Sequence, residues 1–534
     1  MTDLFSIALL SGLTGFLQNM GETYPVLNAL YLLLSIAVPL TMAVALAVSG
    51  KLPENAVKTA AVIGFAVPAL ISVYLCSVYL AMMPGGEGYA FAFRSDLGLG
   101  QFGIFLHLGL NGLALPFYLL AGLVGLAAGL YAVQAEMEQR RLFLILLLVM
   151  QGGLMGVFSS VDVFFFYFFH EFALIPTFVL IALFGRRGRK GVALELTIYL
   201  TLGAMLTLAG LLALYFFSEA EAFNMIALRN VLTEMPHQGT LFGLLLIGFG
   251  ILVSLFPFHT WAPRGYATAP APVAMLHAGV LKKFGLYGLI QIAYPLLPEG
   301  AGQWAPLLMW LALGNLLLIG FVTMAQRDLK LMLGNASVMH MGYAFLGLYA
   351  YSTLGLGAAV LMLFAHGLSV ALLFLLADVV ERSGGTADME ELGGLGQKAP
   401  VLMGLFVAAT MASIGLPGFA NFWGELGIFA ALWTSATPWV VAPAIAGILI
   451  SAVYGLRAVA RIFFGPVAVG MEPRGDIRPS EKLPALLLLA ALFLFGLWPR
   501  SISDPVDRSI EQSFPGQVLS VEAPAGNNAA ALNE

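Results

Sequence analysis

Seven ionisable side chains, Glu171, His277, Lys282, Lys283, His340, His366 and Glu425, lie inside stretches that are otherwise apolar and long enough to cross a bilayer. An ionised group at bilayer depth costs roughly 2.5–3.5 kcal/mol on insertion scales, so a chain that keeps several there is expected to use them. Each can take up or release a proton. Low dielectric favours the neutral forms of Lys and Glu, which brings exchange within reach of physiological pH. The stretch that organises the rest is 244–291, LLLIGFGILVSLFPFHTWAPRGYATAPAPVAMLHAGVLKKFGLYGLIQ. It is two apolar segments around a short Pro-rich connection, and the second carries His277, Lys282 and Lys283. The chemistry this pattern points to is an ion path, with the groups set at similar depth in neighbouring helices.

Plainer roles exist for each residue. Glu171 and Lys283 could be a structural ion pair, His340 and His366 could be hydrogen-bonded between helices, and Glu425 could cap backbone freed at Pro417. Lys282 could snorkel or pair with Glu171, and His259 could satisfy the backbone beside Pro257. Asp328 and Lys330, at a helix start, read as interface charges. Enzyme motifs fail on inspection. His170-Glu171 opens an HExxH zinc pattern, but the second histidine position is Leu174. Gly393-Gly394-Leu395-Gly396 is a lone glycine cluster in an acidic loop, without the strand and helix of a phosphate cradle. The single cysteine, Cys76, excludes an internal disulfide and any cysteine-ligated zinc or iron–sulfur centre. The chain is therefore expected to hold no metal and no cofactor, and to have no nucleic-acid partner.

The elements that position these groups follow from composition. With 534 residues, 60% hydrophobic and 10% charged, the chain is an all-α integral membrane protein. Apolar runs predict spans at 29–49, 57–82, 111–133, 142–160, 161–184, 192–217, 240–260, 271–297, 304–325, 328–350, 354–380, 400–433, 439–464 and 483–499. Residues 4–17 are apolar but short, and read as interfacial. Loop charges test the register. Of the 24 basic residues, only Arg94 and Arg229 fall in loops after even-numbered spans. Arg500 and Arg508 lie in the tail, Lys282 and Lys283 inside the eighth span, and all others beside odd-numbered ones. About fourteen transmembrane helices with both termini on the non-cytoplasmic side are expected. Breakers fall in the seventh span at Pro257 and in the twelfth at Pro417-Gly418. Breaks in corresponding members predict two inverted five-helix repeats, roughly 142–297 and 304–464. No connection is long enough for a separate core, so 1–534 reads as one membrane domain, with 500–534 a polar, mobile tail.

Five ordered stretches resemble a known family: FFHEFALIPTFVLIALFG, SLFPFHTWAP with APAPVAMLHAGVLKKFGLYGL, AQRDLKLMLGNASVMHMGYAFLG, MLFAHGLSVALLFLLADVVERSGGTADMEELGGL and SIGLPGFANFWGELGIF. They look like subunit M of complex I, the NADH-quinone oxidoreductase, over about 102–499. The wider superfamily includes Mrp cation antiporters and membrane hydrogenase subunits. The resemblance implies a proton-translocating, antiporter-like subunit of a prokaryotic inner-membrane complex. Its partners would be neighbouring membrane subunits and a redox arm, which would carry quinone, iron–sulfur clusters and flavin. By position, Glu171 matches the family's fifth-helix glutamate, Lys283 its eighth-helix lysine, His340 and His366 its bridging histidines, and Glu425 its twelfth-helix exit residue. Lys282 and His277 are additions, as is His170. One departure stands out: the family's seventh-helix lysine, partner to the glutamate, is Leu252 here. Glu195 in the sixth span occupies a stretch where a lysine is usual, and as a nearby acid it would favour neutral Glu171. A cation/proton antiporter subunit and a structural subunit with impaired pumping are the alternatives.

Overall fold

The computed structural model describes residues 2–83, 88–186, 188–218, 220–231, 235–434, 438–472 and 474–514. Helices α1 (Thr2–Thr23), α2 (Pro25–Val48) and α3 (Glu54–Met82) come first. An antiparallel hairpin follows, β1 (Ala90–Ser95) with β2 (Leu106–Leu110), pairing Arg94 with His107. Next come α4 (Ala114–Ala132), α5 (Arg140–Ser159), α6 (Val163–Phe184), α7 (Arg189–Ser218) and the short α8 (Met225–Val231). The following span is split into α9 (Gln238–Val253) and α10 (Trp261–Thr268). Residues Ala271–Leu296 then form one 26-residue helical segment. Within it, α11 (Ala271–Leu276), α12 (Lys283–Gly288) and α13 (Tyr294–Leu296) are joined by π-helical turns at His277–Leu281 and Leu289–Ala293. A third π-helical turn, Gly314–Leu318, joins α14 (Pro298–Leu313) to α15 (Ile319–Ala325). Then come α16 (Leu329–Tyr349) and α17 (Thr353–Gly384), a second split span α18 (Pro400–Ser413) and α19 (Ala420–Thr434), and finally α20 (Val441–Phe463), α21 (Pro479–Leu497) and α22 (Arg500–Ser513).

Among the described residues, eleven helical segments are long and apolar enough to cross a membrane. Every predicted span falls on one of these, on α16, or on a split pair. Side-chain caps explain several starts: Asp162 accepts from Phe164 N and Phe165 N at α6, Asp328 from Leu331 N at α16, and Ser352 from Gly355 N at α17. The bundle centre is α17 and the Ala271–Leu296 segment, whose apolar windows are wholly buried. They cross at two facing glycines. A Cβ on Gly279 would lie 3.0 Å from Gly367 O, and one on Gly367 2.6 Å from Gly279 O. A side chain at Gly367 would force the helices apart and one at Gly279 would press on the facing carbonyl, so the two glycines set the helices that carry Lys283 and His366 against each other.

The structure departs from several expectations. The apolar run 4–17 belongs to a longer helix, α1, which packs on α3. The connection 84–108 contains most of a hairpin. The tail is not wholly polar and mobile, because 500–513 is a docked helix. Ile502, Val506 and Ile510, at helical spacing of four, are fully buried. Gly112 N donates to Ser509 Oγ at 2.8 Å, and Gly112 lies so close to Pro505 O that no Cβ fits there. The remaining tail, 515–534, lies outside the described residues. Lys330 is no surface charge. It is 3% exposed and bonds Asp378 at 2.6 Å and Glu381 at 2.8 Å, while Tyr131 OH donates to Asp378 at 2.8 Å.

Candidate functional site

The second break builds one end of the site. Backbone leaves the helix at Gly415 (φ +80°) and Gly418 (φ +101°), and α19 restarts at Ala420. Glu425, about one and a half turns into α19, folds back so that its carboxylate lies on Gly415. It is 3% exposed, and among the described residues its Oε1 has no hydrogen-bond partner. At 4.0 Å from that oxygen is Nδ1 of His340 on α16, beyond a direct bond. His340 Nε2 shares a 3.0 Å hydrogen bond with Tyr454 OH of α20. The rings of His340 and His366 lie 5.6 Å apart. His366 Nδ1 in turn accepts from Lys283 Nζ at 3.0 Å, and the same ammonium donates to Ala278 O at 2.5 Å.

Lys283 reaches Ala278 because of the π-helical turn. There Lys282 N bonds His277 O, five residues back, so the helix is locally wide and the Lys283 side chain folds onto a carbonyl of that turn. Lys283, His366, His340 and Glu425 thus line up as a buried series from the middle of the bundle to the second break, hydrogen-bonded at the Lys283–His366 step and open at the two steps beyond it. Each member is a proton donor or acceptor.

The other predicted residues lie off this series. Lys282, next along the helix, points elsewhere: Nζ donates to Ser337 O at 3.2 Å and Ser337 Oγ at 3.3 Å, and it sits 5.6 Å over the Tyr266 ring. It does not pair with Glu171. His277 stacks on Trp261 at 5.5 Å and meets the edge of Tyr266 at 5.2 Å, beside the first break. Glu171 is half-buried, its side chain 26% exposed, with His170 Nδ1 3.6 Å away. His170 stacks on Phe284, the neighbour of Lys283, with ring centroids 3.8 Å apart. Among the described residues no hydrogen bond links Glu171 and His170 to Lys283. Glu195 is held by Arg264 at 2.7 Å, so the acid expected beside Glu171 is neutralised elsewhere. Leu252 is buried in the apolar core.

The first break has its own clamp, which no sequence signal announces. Asn315, fully buried in the third π-helical turn, accepts from Phe256 N at 2.7 Å and donates to Ser254 O and to Val338 O, each at 3.0 Å. Tyr454, Ser337 and Tyr266 are likewise unmarked in the sequence. Neutral polar residues recur in spans as ordinary interhelical hydrogen-bonding groups, so the local sequence does not single these out.

The geometry at Gly415 gives a sharp test. A Cβ there would lie 2.1 Å from Glu425 Oε2, whereas one on Gly418 meets nothing within 4 Å. Both substitutions to alanine incur left-handed strain of roughly 1–2 kcal/mol. Only Gly415→Ala also displaces the carboxylate. Thermal unfolding temperature should fall for both variants, and proton translocation should fall further in G415A than in G418A; equal activities would remove Glu425 from the path.

Known proteins share this architecture. Residues 160–451 match the family described as NADH:quinone oxidoreductase/Mrp antiporter, TM. NAD(P)H-quinone oxidoreductase chain 4 1 of Synechococcus sp. (strain JA-2-3B'a(2-13)) is 33% identical over 416 residues, 76% of this chain and 79% of that one. NAD(P)H-quinone oxidoreductase chain 4 of Gloeobacter violaceus is 33% identical over 413 residues, 76% and 78%. Among solved structures, a chain of respiratory complex I from Thermus thermophilus with bound NADH superposes with a TM-score of 0.80 at 29% identity, covering 90% of this chain and 99% of that one. A chain of the Mrp complex from Dietzia sp. DQ12-45-1b has the same fold, with a TM-score of 0.80 at 19% identity and coverage of 92% and 98%.

Proposed function

We propose a function from one premise: the chain belongs to the NADH:quinone oxidoreductase/Mrp antiporter family. It is an antiporter-like membrane subunit of a complex I type quinone oxidoreductase, and it translocates protons. Redox energy is released in partner subunits, which carry the quinone site, iron–sulfur clusters and flavin; this chain contributes the membrane path. The observation that carries the reading is the buried series Lys283, His366, His340 and Glu425, ending on a broken helix. A proton held on Lys283 passes to His366 Nδ1, the histidines exchange by ring reorientation, and Glu425 delivers it at the second break. The asymmetry of loop charges supports both termini on the non-cytoplasmic side. The breaks at Pro257 and Pro417 support two inverted repeats, 142–297 and 304–464.

A second reading has one observation in its favour. With Leu252 in place of a lysine, Glu171 has Tyr167 as a hydrogen-bond partner and His170, 3.6 Å away, as its potential cation. The first half-path either works through His170 or has lost its activity, leaving a partly structural subunit. Leu252→Lys separates the two. The His170 contact leads us to expect fewer protons moved per electron, because a new cation competes for Glu171. A rise would mean that the native first half is impaired.

A further inference from the structure

Where α15 ends and α20 makes its last turn, three guanidinium groups line a concavity of about 230 Å³: Arg327, Arg457 and Arg461, with Gln326, Met389 and the single carboxylate of Glu390. Arg457 is anchored on backbone, donating to Met324 O and, at 2.7 Å, to Gln326 O. Arg327 and Arg461 share Glu390, at 3.2 and 3.8 Å, so one negative charge answers three positive ones. A guanidinium has five N–H donors in a planar fork, and most of those on Arg327 and Arg461 remain free for a tetrahedral oxyanion. The concavity stands at the end of two adjacent helical segments, α15 and α20. Directly along those spans runs an exposed apolar strip, Leu318, Phe321 and Val322 on one side and Leu449, Val453 and Leu456 on the other.

We propose that this pocket binds an anionic phospholipid, with the phosphate among the three arginines and the acyl chains along the strip between α15 and α20. Charge alone would suit a free phosphate, and the strip alone any lipid. Together they fit a negatively charged headgroup joined to hydrocarbon, held at the level where basic pockets between spans meet the anionic leaflet. None of Lys283, His366, His340 and Glu425 lines the pocket, although Arg457 stands one turn beyond Tyr454, the hydrogen-bond partner of His340, on α20.

The test uses the full-length protein in bilayer discs of phosphatidylcholine with phosphatidylglycerol, followed by delipidation and mass spectrometry of the lipid retained. Wild-type protein should keep phosphatidylglycerol in preference to phosphatidylcholine, and excess inorganic phosphate should not displace it. Arg461→Gln and Arg327→Gln, both at exposed positions, should each lower retention about fivefold. Glu390→Gln should raise it, since it removes the competing carboxylate; that opposite sign is not expected of a merely damaged fold. Equal retention of the two lipids by wild type, unchanged retention in the arginine variants, or full displacement by inorganic phosphate would overturn the proposal. The last result would assign the pocket to the free anion, and the first would leave the strip to a neighbouring subunit.

Discussion

Replacing Lys283 by alanine in the assembled complex is expected to slow proton transfer through this chain by about 100-fold or more, the usual worth of a positioned acid–base group, and to lower the protons moved per electron. Position is the reason. Lys283 is the only cation bonded to the histidine series among the described residues, through His366 Nδ1 at 3.0 Å, and nothing else there replaces its ammonium. Alanine also strips a donor from His366 and from Ala278 O, so a loss of activity by itself would not separate chemistry from packing. Lys283→Arg makes that separation. Arginine keeps the charge and the donors but stays protonated at any physiological pH, so it holds a proton without handing it on. An arginine variant that assembles normally yet moves fewer protons per electron identifies exchange at this position. Full stoichiometry in both variants would sink the proposed path. Glu171→Gln should have a smaller effect than either, because Glu171 is partly exposed and separated from Lys283 by the His170–Phe284 stack.

That difference between Lys283 and Glu171 marks where the sequence is informative. An ionisable group in an apolar run is conspicuous because of its insertion cost, and so Lys283, His340, His366 and Glu425 are all legible from the amino-acid order alone. Their depth is legible too, from residue counts along each span. Their partners are not. Lys282 and Lys283 are adjacent and chemically identical, yet one bonds Ser337 and the other His366. Adjacent helix positions project about 100° apart, and which neighbour each lysine meets depends on packing and on a π-helical turn that has no sequence signature of its own. Lys330 misleads for a related reason: at a span end it looks solvated, while Asp378 and Glu381, near the end of α17, bury it from another element. The docked helix α22 is written in Ile502, Val506 and Ile510, but the polar residues between them hide the stripe in any average over the tail. Both breaks follow correctly from Pro257 and Pro417-Gly418, because proline acts on its own backbone. What holds each break in place is not visible in the sequence.

For the first break, that support is expected to be Asn315. Asn315→Ala should destabilise the protein by about 1–3 kcal/mol, the cost of leaving the buried Ser254 C=O unpaired, with a smaller addition from the half-buried Phe256 N–H. These two groups lie outside helix hydrogen bonding, and Asn315 supplies both partners. Its third bond, to Val338 O on α16, ties the break to the helix that bears His340 two residues further on. Loss of the side chain therefore acts at two places. Segment 254–260 loses its anchor, and α16 loses a fixed spacing from it. Hydrogen exchange should report the first effect as faster exchange confined to 254–260, since local opening tracks local stability. Proton translocation reports the second. Asn315→Leu fills the same volume without the bonds, so a leucine variant as damaged as the alanine one identifies hydrogen bonding rather than packing as the cause. Unchanged exchange at 254–260 in both variants would mean that Pro257 and the surrounding helices hold the break without Asn315. The clamp and the proton series would then be independent, although Val338 and His340 share one turn of α16.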